Sequence, residues 1–392
     1  MKKILKIICY LLLHYEVRKI SSSIYERDIF LKKLKKIEEI AQEKGISKIV
    51  LMNDTNIRYL TGLELSGAAI LDFVNKEHTI IIPFMENWKI KKLFGGYFRV
   101  IGVTRYDFGL EEGVEKFIGS INEAVAKFLI ESDKIGIDLD LNKSSDSNIK
   151  SKVKSVVQIN DEMIRVRRTK LPEEIDLIKK AVEITEKALS QTIENLRNGM
   201  REKEIYSEHI CQLYKSGAEY LAFDPIVAIT ENASNPHAIS GNRELKADDI
   251  LLIDTGAKFG GYASDMTRTI IPEKGEFKKY IELLEEAYFS SLDALKTGAG
   301  AKEIDGIARN ILKKYGLEKY FIHSLGHGVG IDVHEAPNIG PTSNEVFMEN
   351  EVVAIEPGIY FPEKIGFRLE NTVIVGKNGA IPLNSLEFVI QR

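Results

Sequence analysis

Four acidic residues in the second half of the chain constrain its fold more than any other feature. They are Asp254, Asp265, Glu356 and Glu370. Asp254 directly follows the apolar run ILLI, and Glu356 directly follows the apolar run VVAI. Each run reads as a buried strand, and the second acid of each pair stands on what reads as the returning strand. A carboxylate attached to a buried strand is costly unless it is paired or bound to a metal ion.

Convergence of these acids in one cleft would create strong repulsion, because like charges close together raise one another's pKa. A pair of divalent cations would offset the repulsion, and carboxylates bridge such ions when these lie about 3.5–4 Å apart. The alternative is that the acids are hairpin turn residues and members of surface ion pairs. That alternative suits any single acid, but it suits matched positions in two stretches less well. The pattern therefore favours a two-metal site.

Three of the seven histidines fall in the glycine-rich stretch HSLGHGVGIDVHE, at positions 323, 327 and 334. His323 and His327 have the spacing of a helical zinc pair, but the glycines at 326, 328 and 330 make a helix improbable there. The glycines predict instead that the backbone at His327 approaches a ligand or a metal ion closely. For His323, a structural histidine with satisfied ring nitrogens is the better interpretation.

The chain has 392 residues, which is enough for two domains. Helical and strand patterns alternate in the first half and predict an α/β layer domain over 26–160, with one helix over 112–130. The second half, 161–392, repeats an order of two helices followed by a hairpin-like stretch. We expect the helices at 172–196, 202–215, 276–295 and 302–315, and the hairpin-like stretches at 249–271 and 350–375. Such a duplication predicts a site where the two halves meet.

The charge balance disfavours nucleic acid and membrane as partners, because 54 basic and 58 acidic side chains leave a formal net charge of −4. Two cysteines, Cys9 and Cys211, are too few for a disulfide framework and indicate a reducing compartment such as the cytoplasm. Residues 1–25 begin with an apolar run that ends at His14, short of the ~20 residues of a spanning helix. They are left unassigned as an N-terminal extension. Neither a GxSxG nucleophile motif nor a GxxxxGK[ST] phosphate loop occurs.

The stretches IDTGAKFGGYASDMTRT, HSLGHGVGIDVHEAP, AIEPGIY and GFRLEN occur in this order. In this combination the second half resembles the pita-bread metallopeptidases, the family of methionine aminopeptidase, aminopeptidase P and prolidase. The first half, including NIRYLTG at 56–62, is similar to the N-terminal domain of prolidases and aminopeptidases P. The resemblance implies a creatinase/prolidase-like α/β N-terminal domain over 26–160. An α+β pita-bread catalytic domain with pseudo-twofold symmetry would follow over 161–392.

The same resemblance implies roles for individual residues. The metal ligands that it implies are Asp254, Asp265, His327, Glu356 and Glu370. Asp265 and Glu370 would bridge two divalent ions per subunit; Asp254 would bind one ion, and His327 with Glu356 the other. Glu356 would also carry the proton to the leaving nitrogen, and His334 would stabilise the developing oxyanion. The substrate contacts that it implies are His237, His334 and Arg368.

An oxygen-rich ligand set with one imidazole suits Mn or Co best, and Fe or Zn is also compatible with it. The activity implied is hydrolysis of the bond between an N-terminal residue and proline in a small peptide. A homodimer is expected by analogy, because most relatives with this N-terminal domain associate. Two alternatives stay open, namely a creatinase-like amidinohydrolase and a non-catalytic binding module on the same fold.

One departure from the family pattern bears on substrate length. Many prolidases carry an Arg shortly after the second histidine motif, where it is thought to hold the free carboxylate of a dipeptide. Here no Lys or Arg lies between His334 and Glu356, and the neighbourhood reads HEAPN up to Asn338. Arg368 or a residue of the N-terminal domain could substitute. The departure weakens a strict dipeptidase interpretation and favours an aminopeptidase that accepts longer Xaa-Pro peptides.

Overall fold

The computed structural model describes residues 27–392, apart from 108, 110–112, 114, 130–131, 140–148, 150–151 and 274. The N-terminal extension at 1–25 lies outside these residues. The described residues form two compact units, 27–167 and 168–392. The division falls between residues 167 and 168, near the end of a helix that begins at Asn160, whereas the sequence predicts the domain boundary near residue 160. No helix in the described part of the chain is both long and apolar enough to cross a membrane.

One mixed sheet with helices organises the first unit. The helices of this part of the chain are α1 (Arg27–Lys44), α2 (Asp54–Thr61), α3 (Asn87–Phe94), α4 (Ile121–Phe128) and α5 (Asn160–Arg168). The strands are β1 (Lys48–Leu51), β2 (Ala68–Asp72), β3 (His78–Pro83), β4 (Phe98–Thr104), β5 (Glu115–Ile118), β6 (Ser132–Ile137) and β7 (Val153–Gln158). Their order in the sheet is β5-β4-β3-β2-β1-β6-β7. Strand β2 pairs antiparallel with β1 and β3, and the other neighbours are parallel, so the α/β layer prediction is confirmed.

The helix predicted over 112–130 is wrong in its first part. Residues Glu115–Ile118 form the edge strand β5, and α4 begins only at Ile121. Ser120 caps α4: its side chain accepts from the backbone N–H of Glu123, and the Glu123 carboxylate accepts from the backbone N–H of Ser120. Such a capping box starts a helix. Gly119 precedes it at a φ of 150°, a value that favours glycine, so the helix does not extend back through this residue.

The second unit repeats its order of elements. Its helices are α6 (Pro172–Glu194), α7 (Glu202–Ser216), α8 (Lys278–Ala294) and α9 (Ala301–Lys314). Strands β8 (Tyr220–Leu221), β9 (Ile226–Ile229), β10 (Leu251–Thr255), β11 (Ala257–Phe259), β12 (Tyr262–Ala263) and β13 (Met266–Ile271) follow α7. Strands β14 (Gly326–Gly328), β15 (Glu335–Ile339), β16 (Val352–Ile355), β17 (Gly358–Phe361), β18 (Ile365–Arg368), β19 (Asn371–Val375), β20 (Ala380–Pro382) and β21 (Ile390–Gln391) follow α9. The four helices predicted in this half are therefore confirmed.

These strands form several small sheets. Their orders are β21-β13-β10-β9, β12-β11-β8, β15-β14-β16-β19-β20 and β17-β18. Each helix pair thus leads into antiparallel strands, which is the α+β arrangement that the duplicated order predicts.

A buried arginine ties the C-terminal segment to β13. Arg268 is fully buried, and its guanidinium donates hydrogen bonds to five acceptors. These are the carbonyl oxygens of Thr267, Glu370, Leu386 and Glu387 and the side-chain oxygen of Asn371. Burial lowers the pKa of Arg268 to about 10, and a buried cation is tolerated where its donors are satisfied in this way. The network holds the backbone carbonyl of the predicted ligand Glu370 and the side chain of Asn371 next to it.

Candidate metal centre

Asp254 and Asp265 come from two neighbouring antiparallel strands. Asp254 is the fourth residue of β10, and its partner on β13 is Thr267. Asp265 immediately precedes β13. Every residue of both strands is buried, so the fold carries the two acids into the interior, where Asp254 is 9% and Asp265 3% exposed.

His327, Glu356 and Glu370 come from the second set of strands. His327 is the middle residue of β14 and pairs with Ala354 on β16, and Glu356 directly follows β16. Glu370 lies between β18 and β19 and forms an isolated antiparallel bridge with Thr267. This bridge joins the two halves of the duplicated unit at the acids themselves.

The glycines beside His327 serve strand packing. A Cβ atom on Gly326 would lie 1.9 Å from the carbonyl oxygen of Ala354, and one on Gly328 would lie 2.1 Å from that of Ala336. Both glycines therefore allow β14 to lie between β15 and β16. The close approach that these two glycines allow in the described structure is one to neighbouring backbone.

A cavity of about 620 Å³ brings together all the site residues predicted from the sequence. Its lining includes Asp254, Asp265, His327, Glu356, Glu370, His237, His334 and Arg368. Phe223, Asp224, Ile226, His323 and Asn338 also line it. Donor atoms and apolar surface thus share one cavity, which is the usual character of a small-ligand site.

Ligand atoms within the cavity form overlapping groups whose members lie within 4.8 Å of one another. The groups are Asp254 with Asp265 and Glu370, His327 with Glu356 and Glu370, and Asp265 with His327 and His334. Nε2 of His327 lies 3.5 Å from Oδ2 of Asp265 and 3.6 Å from Oε1 of Glu356. Glu370 belongs to the first two groups, so its carboxylate lies within reach of both sets of donors.

The acids destabilise one another's charge in the absence of a cation. Burial, and then the negative charge of Asp254, raises the pKa of Glu370 to about 8. Burial and the neighbouring carboxylates, Glu370 first among them, raise the pKa of Asp265 well above its ordinary value. The pKa of Glu356 is raised for the same two reasons. A cluster of this kind is stable as carboxylates only when positive charge is supplied.

The chemistry of the donor set fits divalent metal ions. Oδ1 of Asp254 is buried without a hydrogen-bond partner, which leaves a lone pair available. Burial lowers the pKa of His327 to about 3, so its ring is neutral, the form that coordinates a metal. Nδ1 of His327 lies 3.0 Å from the carbonyl oxygen of Gly328, and that hydrogen bond leaves Nε2 for the cavity.

Arg368 connects the acids to one another. Its NH2 donates to Oδ2 of Asp254 at 2.5 Å, and its Nε donates to Oγ1 of Thr267 at 3.1 Å. Thr267 in turn donates to Oε2 of Glu370 at 2.7 Å. Arg368 also donates to the hydroxyl of Tyr360 at 2.7 Å. These bonds give Arg368 the position of an organiser of the carboxylates, whereas a direct contact with substrate stays a prediction.

His323 is a satisfied structural histidine, as its sequence context indicates. Its Nδ1 lies 2.8 Å from the carbonyl oxygen of Ser324, and its Nε2 lies 3.1 Å from the hydroxyl of Tyr360. Burial lowers the pKa of His323 to about 4, so Nδ1 donates and Nε2 accepts. The hydroxyl of Tyr360 thereby links His323 to Arg368.

His237 and His334 are the exposed histidines of the cavity. The rings of His334 and His327 lie 4.1 Å apart, centre to centre, in an edge-to-face arrangement. Partial burial is the main cause that lowers the pKa of His334, and its ring lines the cavity. Both histidines are placed where a bound peptide could reach them.

Two polar residues of the site, Thr267 and Tyr360, were not predicted from the sequence. Thr267 stands two positions after Asp265 on β13, and the period of two along a strand could have pointed to it. Tyr360 carries no such signal, because its hydroxyl reaches Arg368 and His323 only through the pairing of β17 with β18.

Sequence and structure comparisons place the chain among known proteins. Residues 176–377 match the Metallopeptidase family M24, and residues 33–169 match the Creatinase/Prolidase N-terminal domain. The Xaa-Pro dipeptidase of Pyrococcus furiosus is 34% identical over 363 residues, covering 91% of this chain and 98% of that protein. The chain belongs to metallopeptidase family M24. Members of this family act with divalent metal ions, in agreement with the donor groups described above.

Solved structures of the family support the fold. The prolidase from Pyrococcus furiosus matches this M24 chain with a TM-score of 0.75 at 34% identity, covering 89% of this chain and 99% of that one. The X-Pro aminopeptidase from Thermotoga maritima matches with a TM-score of 0.79 at 27% identity, covering 91% and 99%. The fold that the resemblance implies, a creatinase/prolidase-like α/β domain followed by a pita-bread catalytic domain, is confirmed.

Proposed function

We propose that this M24 chain is a two-metal exopeptidase that hydrolyses the bond between an N-terminal residue and proline. The observation that carries the proposal is the pair of donor groups that share Glu370, Asp254 with Asp265 on one side and His327 with Glu356 on the other. Relatives that match nearly the whole chain are named for Xaa-Pro hydrolysis, which supports the substrate class. The proline nitrogen carries no N–H, so a site specialised for this bond is chemically sensible.

Five residues would hold the metal ions. They are Asp254, Asp265, His327, Glu356 and Glu370. Asp265 and Glu370 each belong to more than one donor group, so both would contribute to holding the pair of ions. Mn or Co suits this donor set best, and Fe or Zn is compatible with it. Divalent ions bound here would polarise the scissile carbonyl and lower the pKa of water.

The remaining chemistry belongs to the chain's own side chains. Glu356 is proposed to take a proton from the attacking water and deliver it to the leaving nitrogen, because its carboxylate lines the cavity among the donor groups. His334 is proposed to donate a hydrogen bond to the oxygen that becomes negative at the scissile carbonyl. His237, which lies on the loop between β9 and β10, is proposed to contact the bound peptide. Arg368 holds Asp254 and, through Thr267, Glu370 in place.

Substrate length is the first property to measure. Arg368 is the one cavity-lining residue in the described chain with a permanent positive charge, and it is already bonded to Asp254. Those lining residues therefore include no arginine or lysine that is free to bind the carboxylate of a dipeptide. Asn338, which also lines the cavity, carries no charge. We expect protein reloaded with Mn or Co to cleave the tripeptide Ala-Pro-Ala at least as fast as the dipeptide Ala-Pro. The release of free alanine measures both rates.

Cleavage of the dipeptide alone would contradict that expectation. It would indicate a prolidase in which another group binds the carboxylate. If protein with bound metal cleaved neither peptide, the proposed activity itself would be contradicted. The result would then favour the alternative of a non-catalytic binding module on the same fold. The homodimer and the cytoplasmic location stay predictions.

Metal affinity is expected to depend steeply on pH. Folding raises the pKa of Glu370 to about 8, so below that pH a proton must leave before a metal ion can bind. We expect the affinity for Mn²⁺ to fall by about tenfold for each pH unit below about 8, for each proton displaced. Competition with a chromogenic chelator at several pH values measures this directly.

The metal-free protein provides the matched control for that experiment. A carboxyl whose pKa is raised by folding stabilises the folded state at low pH, and this contribution is lost as pH rises towards the folded pKa. The metal-free protein should therefore lose stability as pH rises from about 4.5 to about 8. An affinity for Mn²⁺ that is constant over this range would contradict the convergence of the acids.

A further inference from the structure

The loop that carries His237 is anchored by hydrogen bonds from outside itself. It runs over residues 230–241, between β9 and the approach to β10. Asn235 accepts a hydrogen bond from the backbone N–H of His237 at 3.0 Å, and this bond shapes the turn locally. The carbonyl oxygen of Pro236 accepts from NH1 of Arg368 at 3.3 Å. One side of the loop is therefore held by the arginine that also orients Asp254.

The other side of the loop is held by Glu202. This residue stands at the start of α7 and is only 1% exposed. Its carboxylate accepts from the backbone N–H of Ile229 at 2.7 Å and from that of Gly241 at 2.7 Å. It also accepts from the side-chain amide of Asn232, at 3.0 Å and 2.9 Å to its two oxygens. Glu202 thus bonds to the residue before the loop, to the loop, and to its last residue.

Nothing else in the described structure accounts for a buried carboxylate at this position. The ion pairs found among the described residues do not include Glu202. Its charge is stabilised by the start of α7 and by neutral donors that all belong to the loop or its flanks. Burial of a carboxylate without a cation is costly. The hydrogen bonds that Glu202 accepts from the loop and its flanks offset this cost, so we assign Glu202 the role of holding the loop.

We propose that Glu202 is a positioning residue that holds His237 at the cavity for contact with the bound peptide. The proposal rests on the proposed function. Asn232 relays the contact, because its amide also donates to the carbonyl oxygen of Ile239, two residues beyond His237. The loop is therefore held on both sides of His237. Arg368 bonds to Pro236, and Glu202 bonds to Asn232 and Gly241.

The substitution Glu202→Gln tests the proposal with little change in volume. One acceptor oxygen becomes an amide group that faces one backbone N–H and the side-chain amide of Asn232, so the loop loses part of its anchor. We expect kcat/KM for Ala-Pro-Ala to fall by about tenfold to 100-fold, the usual cost of a small misplacement in a site. Affinity for Mn²⁺ should stay at the wild-type value, because no predicted ligand is touched.

A double-mutant cycle separates positioning from a general structural role. His237→Ala alone should lower kcat/KM, and the double variant Glu202→Gln/His237→Ala should be no worse than His237→Ala. Additive losses would show that Glu202 acts independently of His237 and would overturn the proposal. The matched control is Glu204→Gln in the same helical turn, where the carboxylate caps the backbone N–H of Arg201 and does not touch the loop. This variant should keep wild-type kcat/KM.

A measurement that needs no activity keeps the proposal testable if the proposed substrate is wrong. Protein labelled with carbon-13 at Cε1 of histidine gives one resonance for each of its seven histidines, and His237→Ala assigns that of His237. Glu202→Gln should shift or broaden the His237 resonance and leave that of His78 unchanged. An unchanged His237 resonance would overturn the proposal. Should Glu202→Gln fail to fold, Asn232→Ala removes the loop side of the same contact, and the same outcomes apply.

Discussion

Replacing Asp265 with Asn is expected to abolish peptide hydrolysis, with a loss of at least about 1000-fold in kcat/KM. Asp265 belongs to two of the donor groups, and a neutral amide removes the charge that it offers to a cation. In the metal-free protein the same change removes one of the carboxylates that repel one another. The variant should therefore be at least as stable as wild type in chelator, and it should gain much less stability on addition of Mn²⁺.

The prediction is specific because activity should be lost while stability in chelator is kept or increased. Thermal unfolding with EDTA and with Mn²⁺, together with hydrolysis of Ala-Pro-Ala, measures both. Asp293→Asn is the matched control, because Asp293 is exposed on α8 and does not line the cavity. Full activity of Asp265→Asn would contradict the two-metal assignment. A marked loss of stability in chelator would contradict the repulsion between the acids.

Replacing Lys170 with Met is expected to destabilise the catalytic unit by about 3–5 kcal/mol. Nζ of Lys170 lies 2.6 Å from Oε1 of Glu335, and the two side chains are only 2% and 5% exposed. The other carboxylate oxygen of Glu335 has no hydrogen-bond partner, so removal of the cation leaves a buried charge without compensation. Because Glu335 directly follows His334, activity should fall as well. Denaturant unfolding measures the loss.

Two further variants identify the cause. The double variant Lys170→Met/Glu335→Met should recover most of the stability, because an apolar pair replaces a buried ion pair at little cost. Lys179→Met breaks an exposed pair with Asp176, whose side chains are 49% and 73% exposed, and should change stability by less than about 0.5 kcal/mol. Equal losses from Lys170→Met and Lys179→Met would contradict the importance of burial.

Much of the fold was predictable because it depends on local pattern. The apolar runs before Asp254 and Glu356 became β10 and β16, and helical spacing placed α6 to α9 within a few residues. The helix predicted over 112–130 went wrong where its polar and apolar residues suit either a helix or an edge strand. The capping signal at Ser120 was present in that segment and decides where the helix starts.

Side-chain partners were far less predictable. Lys170 and Glu335 are 165 positions apart, and Glu202 meets Gly241 across 39 positions. Nothing in the composition of either stretch marks such pairs, because a surface lysine and a buried one look alike in sequence. The glycines around His327 show the same limit: they indicate a close approach, but only the sheet reveals that the approach is to neighbouring strands.

The sequence by itself predicted the chemistry, because acids at the ends of apolar strands and a histidine among glycines favour a metal site over other uses of these residues. Acids beside apolar strands are informative because a buried carboxylate is costly unless it is paired or bound to a metal ion. The tertiary structure decided which acids share ligand space, through the bridge between Thr267 and Glu370, and which residues hold the others in place. Those relations depend on distances across strands and loops far apart in sequence, and such distances are set only when the chain has folded.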